Sequence, residues 1–475
     1  MKKLLGILVL GLLLSGNAYA GRDIQKEIDF FNKWLYENDY HQYLDKESNN
    51  IRFKLDRSVC NDNTLAEDNN IIKKCVGADG SIIPNSDLKF KKIYPNNLDL
   101  IFYDRFWIPE ENPKPKPNYG TFVFELYRYL NYHETDSAVV GKYLVKRSDD
   151  PYTFQSNLIE DKYIDKQLNK SGLLSYLYFE NGEIKIDKIS PKNRFGKFID
   201  DDTKFRSMSV GKTMVSYVVG HAICEGYIES IDSKVNDWPL VENTLYHNQK
   251  LIDLLNFRAG DQKYTWDYFF VNPKAFQNNE GRNIEMLLNF EFQNSKKSKA
   301  KFNYSSFLAN LLLNYVVFKT DENFEELLEK IFKEKVKIEN EVFFSKVGGF
   351  KLQGNADNIF YATRYDYLRV AKAMLDDWQN DTCVGKYLKT IFERKEKKGN
   401  QRKPVNFPYA RSYAGMFQTN YEFIPEKRPV MGMHGYGGQH VVIDFENSRI
   451  VVANSIHENW DWRKIIYSKI RKGID

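Results

Sequence analysis

Hydrophobic and polar positions follow two different periods along this chain. Around 176–186 the segment YLYFENGEIKI sets two short apolar-rich runs on either side of Asn181-Gly182, the dipeptide that most favours a two-residue hairpin turn. Further on, FRSMSVGKTMVSYVVGHAICEGYI (205–228) changes to a helical period. Met214, Val215, Val218, Val219, Ala222 and Ile223 keep to one face at i, i+4 spacing, and Gly226 supplies a stop. Helices are also expected at 249–257, 305–317, 322–333 and 363–378. HVVIDFENSRIVVANS (440–455) reads as a second hairpin turning at Glu446 to Ser448, with a terminal helix over roughly 459–471. Hairpins at both ends with helices between them predict an α+β fold, an antiparallel β-sheet flanked by helices.

The N-terminal third is patterned differently. Lys2 and Lys3 precede the apolar run Leu4 to Leu14, and Ala18 and Ala20 stand before Gly21. This is the layout of a secretory signal with cleavage after Ala20, and the run is too short to span a bilayer. Residues 1–20 are therefore expected to be a signal peptide on a periplasmic or secreted protein with no membrane span after its removal. ENPKPKPN (111–118) is a semi-rigid linker. It sits in an accessory region, 21–160, that mixes strand-like aromatic pieces with polar loops, ahead of a principal domain at 161–475.

Charge adds little to this picture. The 69 basic and 64 acidic residues are intermixed, so nothing suggests a nucleic-acid surface. Of the four cysteines, Cys60 and Cys75 lie in an Asn/Asp-rich stretch and could close a small disulfide loop in an oxidising compartment. Cys224 is expected to be a small buried hydrophobe on the helix, and Cys383 has no evident partner. No cysteine pair has zinc-ligand spacing, and the seven histidines form no metal-binding pattern, His434 and His440 included. His221 reads as a packing residue. No metal or organic cofactor is expected.

The chemistry-bearing feature is the start of the 205–228 helix. A serine hydroxyl becomes a good nucleophile only when a base takes its proton, and a desolvated lysine can be that base. Ser209 and Lys212 are i, i+3 on a helix and can come within hydrogen-bond reach, beside the free N–H groups of a helix N-terminus. The alternative is plain: Ser209 as an N-cap and Lys212 as an exposed first-turn residue. The same spacing recurs at Ser86–Lys89 and Ser298–Lys301 in polar stretches, where chance accounts for it.

FRSMSVGKTMVSYVVGHAICEGYI resembles the nucleophile segment of the serine β-lactamase and penicillin-binding superfamily. Its closest likeness is to the class C-like branch of esterases, DD-peptidases and nylon-oligomer hydrolases. LLNFRAGD (254–261) is similar to that branch's leucine-leucine-x-x-x-serine-glycine landmark, with Ala259 in place of the serine. FNYSS (302–306) matches the Tyr-x-Ser form of a second landmark through Tyr304 and Ser306. MHGYGGQHVVID (433–444) resembles the third, in which Tyr436-Gly437-Gly438 takes the place of Lys/His-Thr/Gly-Gly.

The resemblance covers about 165–475 and implies an all-helical insertion between strands of the sheet. It also implies roles. Ser209 would attack an ester or amide carbonyl, with Lys212 and Tyr304 handling protons, and the N–H groups of Ser209 and Gln439 would hold the oxyanion. Ser306, His434, Tyr436, Gly437 and Gly438 would line the substrate site, with His434 as a stand-in for the missing cation. The substrate would be a small-molecule ester, amide or peptide. Two other classes stay open: a slowly acylating penicillin- or peptidoglycan-binding sensor, and a non-catalytic binding protein on the same fold.

Overall fold

The computed structural model describes residues 126–127, 129–131, 133, 139–264, 284–288, 292–348, 355–399, 410–458 and 460–472, with six two-residue strands between 54 and 102. The chain divides into two compact units, Met1–Tyr127 with Tyr268–Gly281, and Arg128–Asp267 with Arg282–Asp475. In the smaller unit, Lys54–Leu55 pairs in parallel with Ile101–Phe102, and two short antiparallel pairs lie between them in sequence. The signal segment 1–20 and the Cys60–Cys75 pairing fall outside the described residues.

The larger unit holds two large sheets and a two-stranded one, Lys234–Val235 with Gln249–Lys250. One has nine strands, in the spatial order Glu396–Lys397, Ala410–Ala414, Phe417–Tyr421, Val430–Gly435, Gln439–Asp444, Arg449–Ser455, Leu173–Glu180, Glu183–Ile189 and Gln155–Ser156. All neighbours are antiparallel except the last two. The other sheet sets Phe205–Arg206, Asn355–Ala362, Val342–Val347 and Val139–Val145 side by side, all antiparallel. The larger unit thus takes in Val139–Val145, which the sequence reading left with the N-terminal region. Both predicted hairpins form, Leu173–Glu180 with Glu183–Ile189 and Gln439–Asp444 with Arg449–Ser455. Asn181 and Gly182 take the positive φ that the first turn requires.

The central strands are buried on both faces, which explains why LLSYLYFE and RIVVANS read as near-continuous apolar runs. One face carries the terminal helical segment through Ile465, Ile466 and Ile470, and the Lys162–Lys170 helix through Ile164 and Leu168. The other packs on the Arg364–Gln379 and Val210–Cys224 helices. Among the described residues no helix is long and apolar enough to cross a membrane.

Val210–Cys224 departs from its expected pattern. Periodicity predicts one buried face, but every residue from Val210 to Ala222 is buried, because strands and helices surround it. Gly211 and Gly220 make that enclosure feasible. A Cβ on Gly211 would lie 1.8 Å from the Asn358 carbonyl, and one on Gly220 would lie 2.6 Å from the Tyr387 ring. The Ser306–Thr320 helix is likewise apolar all round, and two buried asparagines tie it to the neighbouring strand. Asn314 Nδ2 donates to the Ala356 carbonyl at 2.8 Å, and Asn310 Oδ1 accepts from the Asn358 N–H at 2.9 Å.

The cysteines correct the sequence reading. Cys224 ends the buried helix and Cys383 opens the Cys383–Glu393 helix, and the two form a disulfide with Cα atoms 5.8 Å apart. A partner 159 residues away leaves no local trace in the sequence, whereas the Ser216–Tyr387 hydrogen bond at 2.9 Å and the Gly220 contact bring the two helices together in space. Closing a loop of that length restricts the unfolded chain by up to about 5 kcal/mol on the chain-entropy view. A Cys224→Ser/Cys383→Ser variant is accordingly expected to lose several kcal/mol in urea unfolding, and dithiothreitol should lower the wild-type midpoint without affecting the variant. Equal stability of the two proteins would show that the cross-link is thermodynamically silent.

Candidate active site

The chain enters the site along Phe205–Arg206, paired with Ala362 and Tyr361. Ser207 continues the contact in two ways. Its N–H donates to the Phe360 carbonyl at 2.8 Å, and its hydroxyl accepts from the Phe360 N–H at 2.8 Å. Met208 then turns with φ of 49°, a left-handed conformation unfavourable for a residue with a Cβ. That turn delivers Ser209 to the N-cap position of Val210–Cys224.

Ser209 does not act as a cap. Its backbone is helical (φ −71°, ψ −6°) and its side chain makes no cap hydrogen bond, unlike Ser305, Thr363 and Thr382 at other helix starts. Instead Ser209 Oγ accepts from Lys212 Nζ at 3.0 Å. Lys212 is buried, at 3% exposure, and its Nζ lies 5.0 Å from the centre of the Tyr304 ring. Of the two readings open at the sequence level, the geometry matches the serine–lysine pair and not the exposed first-turn lysine.

Tyr304 precedes the Ser305 cap of the Ser306–Thr320 helix, whose hydroxyl accepts from the Phe307 N–H at 3.1 Å. Its ring packs on Phe257 at 5.1 Å and Tyr413 at 5.9 Å. Phe257 lies in the LLNFRAGD segment and is itself left-handed, with φ of 56°, and its carbonyl accepts from the Asn303 N–H at 2.8 Å. Asn303 Nδ2 also donates to the fully buried Asp261 carboxylate at 2.9 Å. The second landmark is therefore held by the segment of the first. Ser306 is the first residue of the helix and half-buried.

The third landmark faces the Ser207-Met208-Ser209 turn. A Cβ on Gly435 would lie 2.6 Å from the Ser207 carbonyl and 3.0 Å from Met208 Cβ, so the end of Val430–Gly435 abuts that turn. Gln439 is the cross-strand partner of Gly435. Between them Gly437 and Gly438 take φ of 80° and 96°, and Tyr436 stands 46% exposed. On its outer edge Val430–Gly435 pairs with Phe417–Tyr421 only through Met431 and Gly432.

His434 is not the surface cation that the sequence allowed. It is buried in a row of polar groups, with Nε2 2.5 Å from the Tyr421 hydroxyl and Nδ1 2.6 Å from His440 Nδ1. A Cβ at Gly432 would collide with the Tyr421 oxygen at 1.9 Å, so glycine leaves room for the row. Burial, then His440 and Lys398 nearby, drive the His434 pKa well below its ordinary value, and burial pushes His440 down to about 3. At neutral pH both rings are uncharged.

Sequence reasoning missed several members of this neighbourhood. Tyr413 lies over Tyr304, and burial, with Tyr304 and Tyr421 close by, raises its pKa well above the usual phenol value. Lys398 Nζ sits 4.9 Å from the Tyr413 ring centre and donates to Gln418 Oε1 at 3.0 Å, and burial pushes its pKa down to about 8. Ser207 was readable as polar but not as a strand clamp. Only the proximity of ARSYAGMF to the third landmark could have hinted at Tyr413.

No family model matches the chain, and no curated protein matches it by sequence. Its shape does have counterparts among solved structures. A putative 6-aminohexanoate-dimer hydrolase from Bacillus anthracis overlays 73% of this chain and 92% of its own, with a TM-score of 0.52 at 14% identity. A putative β-lactamase from Bacteroides dorei DSM 17855 covers 66% and 95% at 13% identity (TM-score 0.47). A D-stereospecific amidohydrolase from Streptomyces sp. covers 67% and 100% at 10% identity (TM-score 0.46). The α+β fold, an antiparallel sheet flanked by helices, is the one this chain shares with that putative 6-aminohexanoate-dimer hydrolase.

The buried histidines make acid sensitivity a consequence of this architecture. His434 and His440 bind protons more readily when unfolded, so their contribution to stability is complete above about pH 6.5 and is lost as pH falls toward 3. His221, pushed down to about 4 by burial, acts in the same direction. Each such histidine contributes a slope of about 1.4 kcal/mol per pH unit between its two pKa values. In urea unfolding at pH 6.5, 5.5 and 4.5, His440→Gln is expected to flatten the wild-type decline. An unchanged slope would mean that the pair is already protonated in the folded protein.

Proposed function

We propose that this chain is an exported serine hydrolase that cleaves ester or amide bonds through an acyl-enzyme on Ser209. The observation that carries the reading is the uncapped Ser209 hydroxyl, 3.0 Å from a buried lysine at the start of a buried helix. For Lys212 to act as base, this contact reverses and the hydroxyl donates to Nζ. Ser209 Oγ bonds to the carbonyl carbon, its proton passes to Lys212, and the carbonyl π electrons move to oxygen. The backbone N–H groups of Ser209 and Gln439 stabilise that oxyanion. Collapse of the intermediate breaks the bond to the leaving group, which takes its proton from Lys212 through the Tyr304 hydroxyl. Water then attacks the acyl group, giving its proton along the same route and freeing Ser209.

The third landmark supports uncharged substrates. Tyr436 stands where relatives carry Lys or His, and His434 is neutral and turned into the buried row. Export is supported by the Cys224–Cys383 disulfide, since such bonds persist in oxidising compartments. It fits the signal pattern of residues 1–20.

A fluorophosphonate probe is expected to label Ser209 in the purified protein, with the site mapped by peptide mass spectrometry. Ser209→Ala and Lys212→Ala should abolish labelling and lower hydrolysis of a chromogenic acetate ester by about a thousandfold or more. Tyr304→Phe should lower turnover about a hundredfold. Labelling at another residue, or full labelling in Lys212→Ala, would refute the mechanism. A stable Ser209 acyl group with no turnover would identify a sensor instead.

A further inference from the structure

Tyr129 belongs to the short helical stretch preceding the first long strand, far in sequence from every landmark of the site, yet it reaches the middle of the larger unit. Its side chain is buried at 2% exposure, and its hydroxyl donates to Gln439 Oε1 at 2.6 Å. Its ring lies 6.2 Å from that of Phe205, the residue through which the chain enters the Ser207-Met208-Ser209 turn. Burial, and secondarily Tyr367, keep the phenol protonated and hence a donor. One side chain therefore contacts the Gln439 carboxamide and lies beside Phe205, four residues before Ser209.

The Gln439 carboxamide has a structural task of its own. Register between Gln439–Asp444 and Arg449–Ser455 runs from Asp444↔Arg449 to His440↔Ala453, and Asn454–Ser455 is irregular against Leu173–Glu180. Beyond His440 the Gln439 side chain takes over from the backbone ladder. Gln439 Nε2 donates to the Ser455 carbonyl, and Gln439 Oε1 accepts from the Ser455 N–H at 3.2 Å. Trp460 Nε1 anchors Ser455 in turn, donating to its hydroxyl at 3.0 Å. The Tyr129 hydroxyl occupies the second lone pair of Oε1, so the carboxamide oxygen is saturated.

The glycines next to Gln439, Gly437 and Gly438, both sit at positive φ and bring no side-chain contacts of their own. Beyond the strand pairing with Gly435, the side-chain contacts of Gln439 hold this residue in place.

We infer that Tyr129 is a positioning residue for hydrolysis, bracing the Gln439 side chain through its hydroxyl and, through its ring, Phe205 at the entry to the Ser207-Met208-Ser209 turn, so that the two oxyanion donors converge. The inference rests on the serine-hydrolase reading above. It makes the 129–131 stretch part of the catalytic apparatus, in a region that the sequence patterns left without a role.

The test is steady-state kinetics of the full chain on a chromogenic ester and its thionoester, with Tyr129→Phe, Gln439→Met and the double variant. Sulfur is a weak acceptor, so the ester-to-thionoester ratio of kcat/KM reports on the oxyanion donors. Tyr129→Phe is expected to lower kcat for the ester roughly tenfold to thirtyfold with KM unchanged, less than the hundredfold or more that outright loss of a donor brings. The ester-to-thionoester ratio should shrink with it. The double variant should be no slower than Gln439→Met alone, since both act through one contact.

Equal losses on both substrates, an unchanged kcat, or multiplicative effects in the double variant would overturn the inference. If Tyr129→Phe does not fold, Gln439→Met alone must show the shrunken ratio or the inference falls. Fluorophosphonate labelling of the wild type separates the two claims. A wild type unlabelled at Ser209 removes the hydrolase reading and this inference with it, whereas a labelled, active wild type beside an unaffected Tyr129→Phe removes the inference alone.

Discussion

The Val210–Cys224 helix lies against the Asn355–Ala362 strand with only hydrogen atoms between Gly211 and the Asn358 carbonyl, the place where a Cβ would come within 1.8 Å. The site depends on that approach. It lets Ser207 exchange two hydrogen bonds with Phe360, and that clamp forces Met208 into its left-handed turn. The turn, in its place, holds Ser209 out of the capping geometry and leaves its hydroxyl to Lys212. The same strand is also gripped by Asn310 and Asn314, whose helix begins just after Tyr304. Ser209, Lys212 and Tyr304 are thus referred to the backbone of one strand by short, buried side chains and one backbone hydrogen bond.

A second constraint acts from the large sheet. Gly435 brings its strand onto the Ser207-Met208-Ser209 turn, and the glycines Gly437 and Gly438 reverse the chain to Gln439. Polar groups left over in this dense region are paired with one another: Tyr421 with His434, His434 with His440, Asn303 with Asp261. Burying neutral imidazoles is tolerable because each has a ring or hydroxyl partner, and the consequence is a structure matched to neutral rather than acidic conditions.

Much of this was legible in the sequence because it is local. The Asn181-Gly182 hairpin, the Arg449–Ser455 hairpin and the Arg364–Gln379 helix follow from turn chemistry and periodicity over ten or so residues. The Ser209–Lys212 pair was visible as a spacing, although the sequence left open a Ser209 cap, which the backbone angles and the missing cap hydrogen bond at Ser209 exclude. What escaped notice depends on residues far apart. Cys224 and Cys383 meet across 159 positions. The burial of Val210–Cys224 on all sides depends on what surrounds it, so its one-faced pattern understated the packing. His434 looked accessible in a glycine-rich segment, yet alternation along the strand turns it toward Tyr421. Tyr129 carries no motif at all.

The most direct test of the central claim is to mix the protein with a chromogenic acetate ester, quench in acid within milliseconds and map acetyl groups by peptide mass spectrometry. An acetyl group on Ser209, formed as fast as the first turnover and absent from Lys212→Ala, is the predicted result. Hydrolysis with no acetyl on Ser209 would contradict the account, returning that serine to the start of an ordinary buried helix.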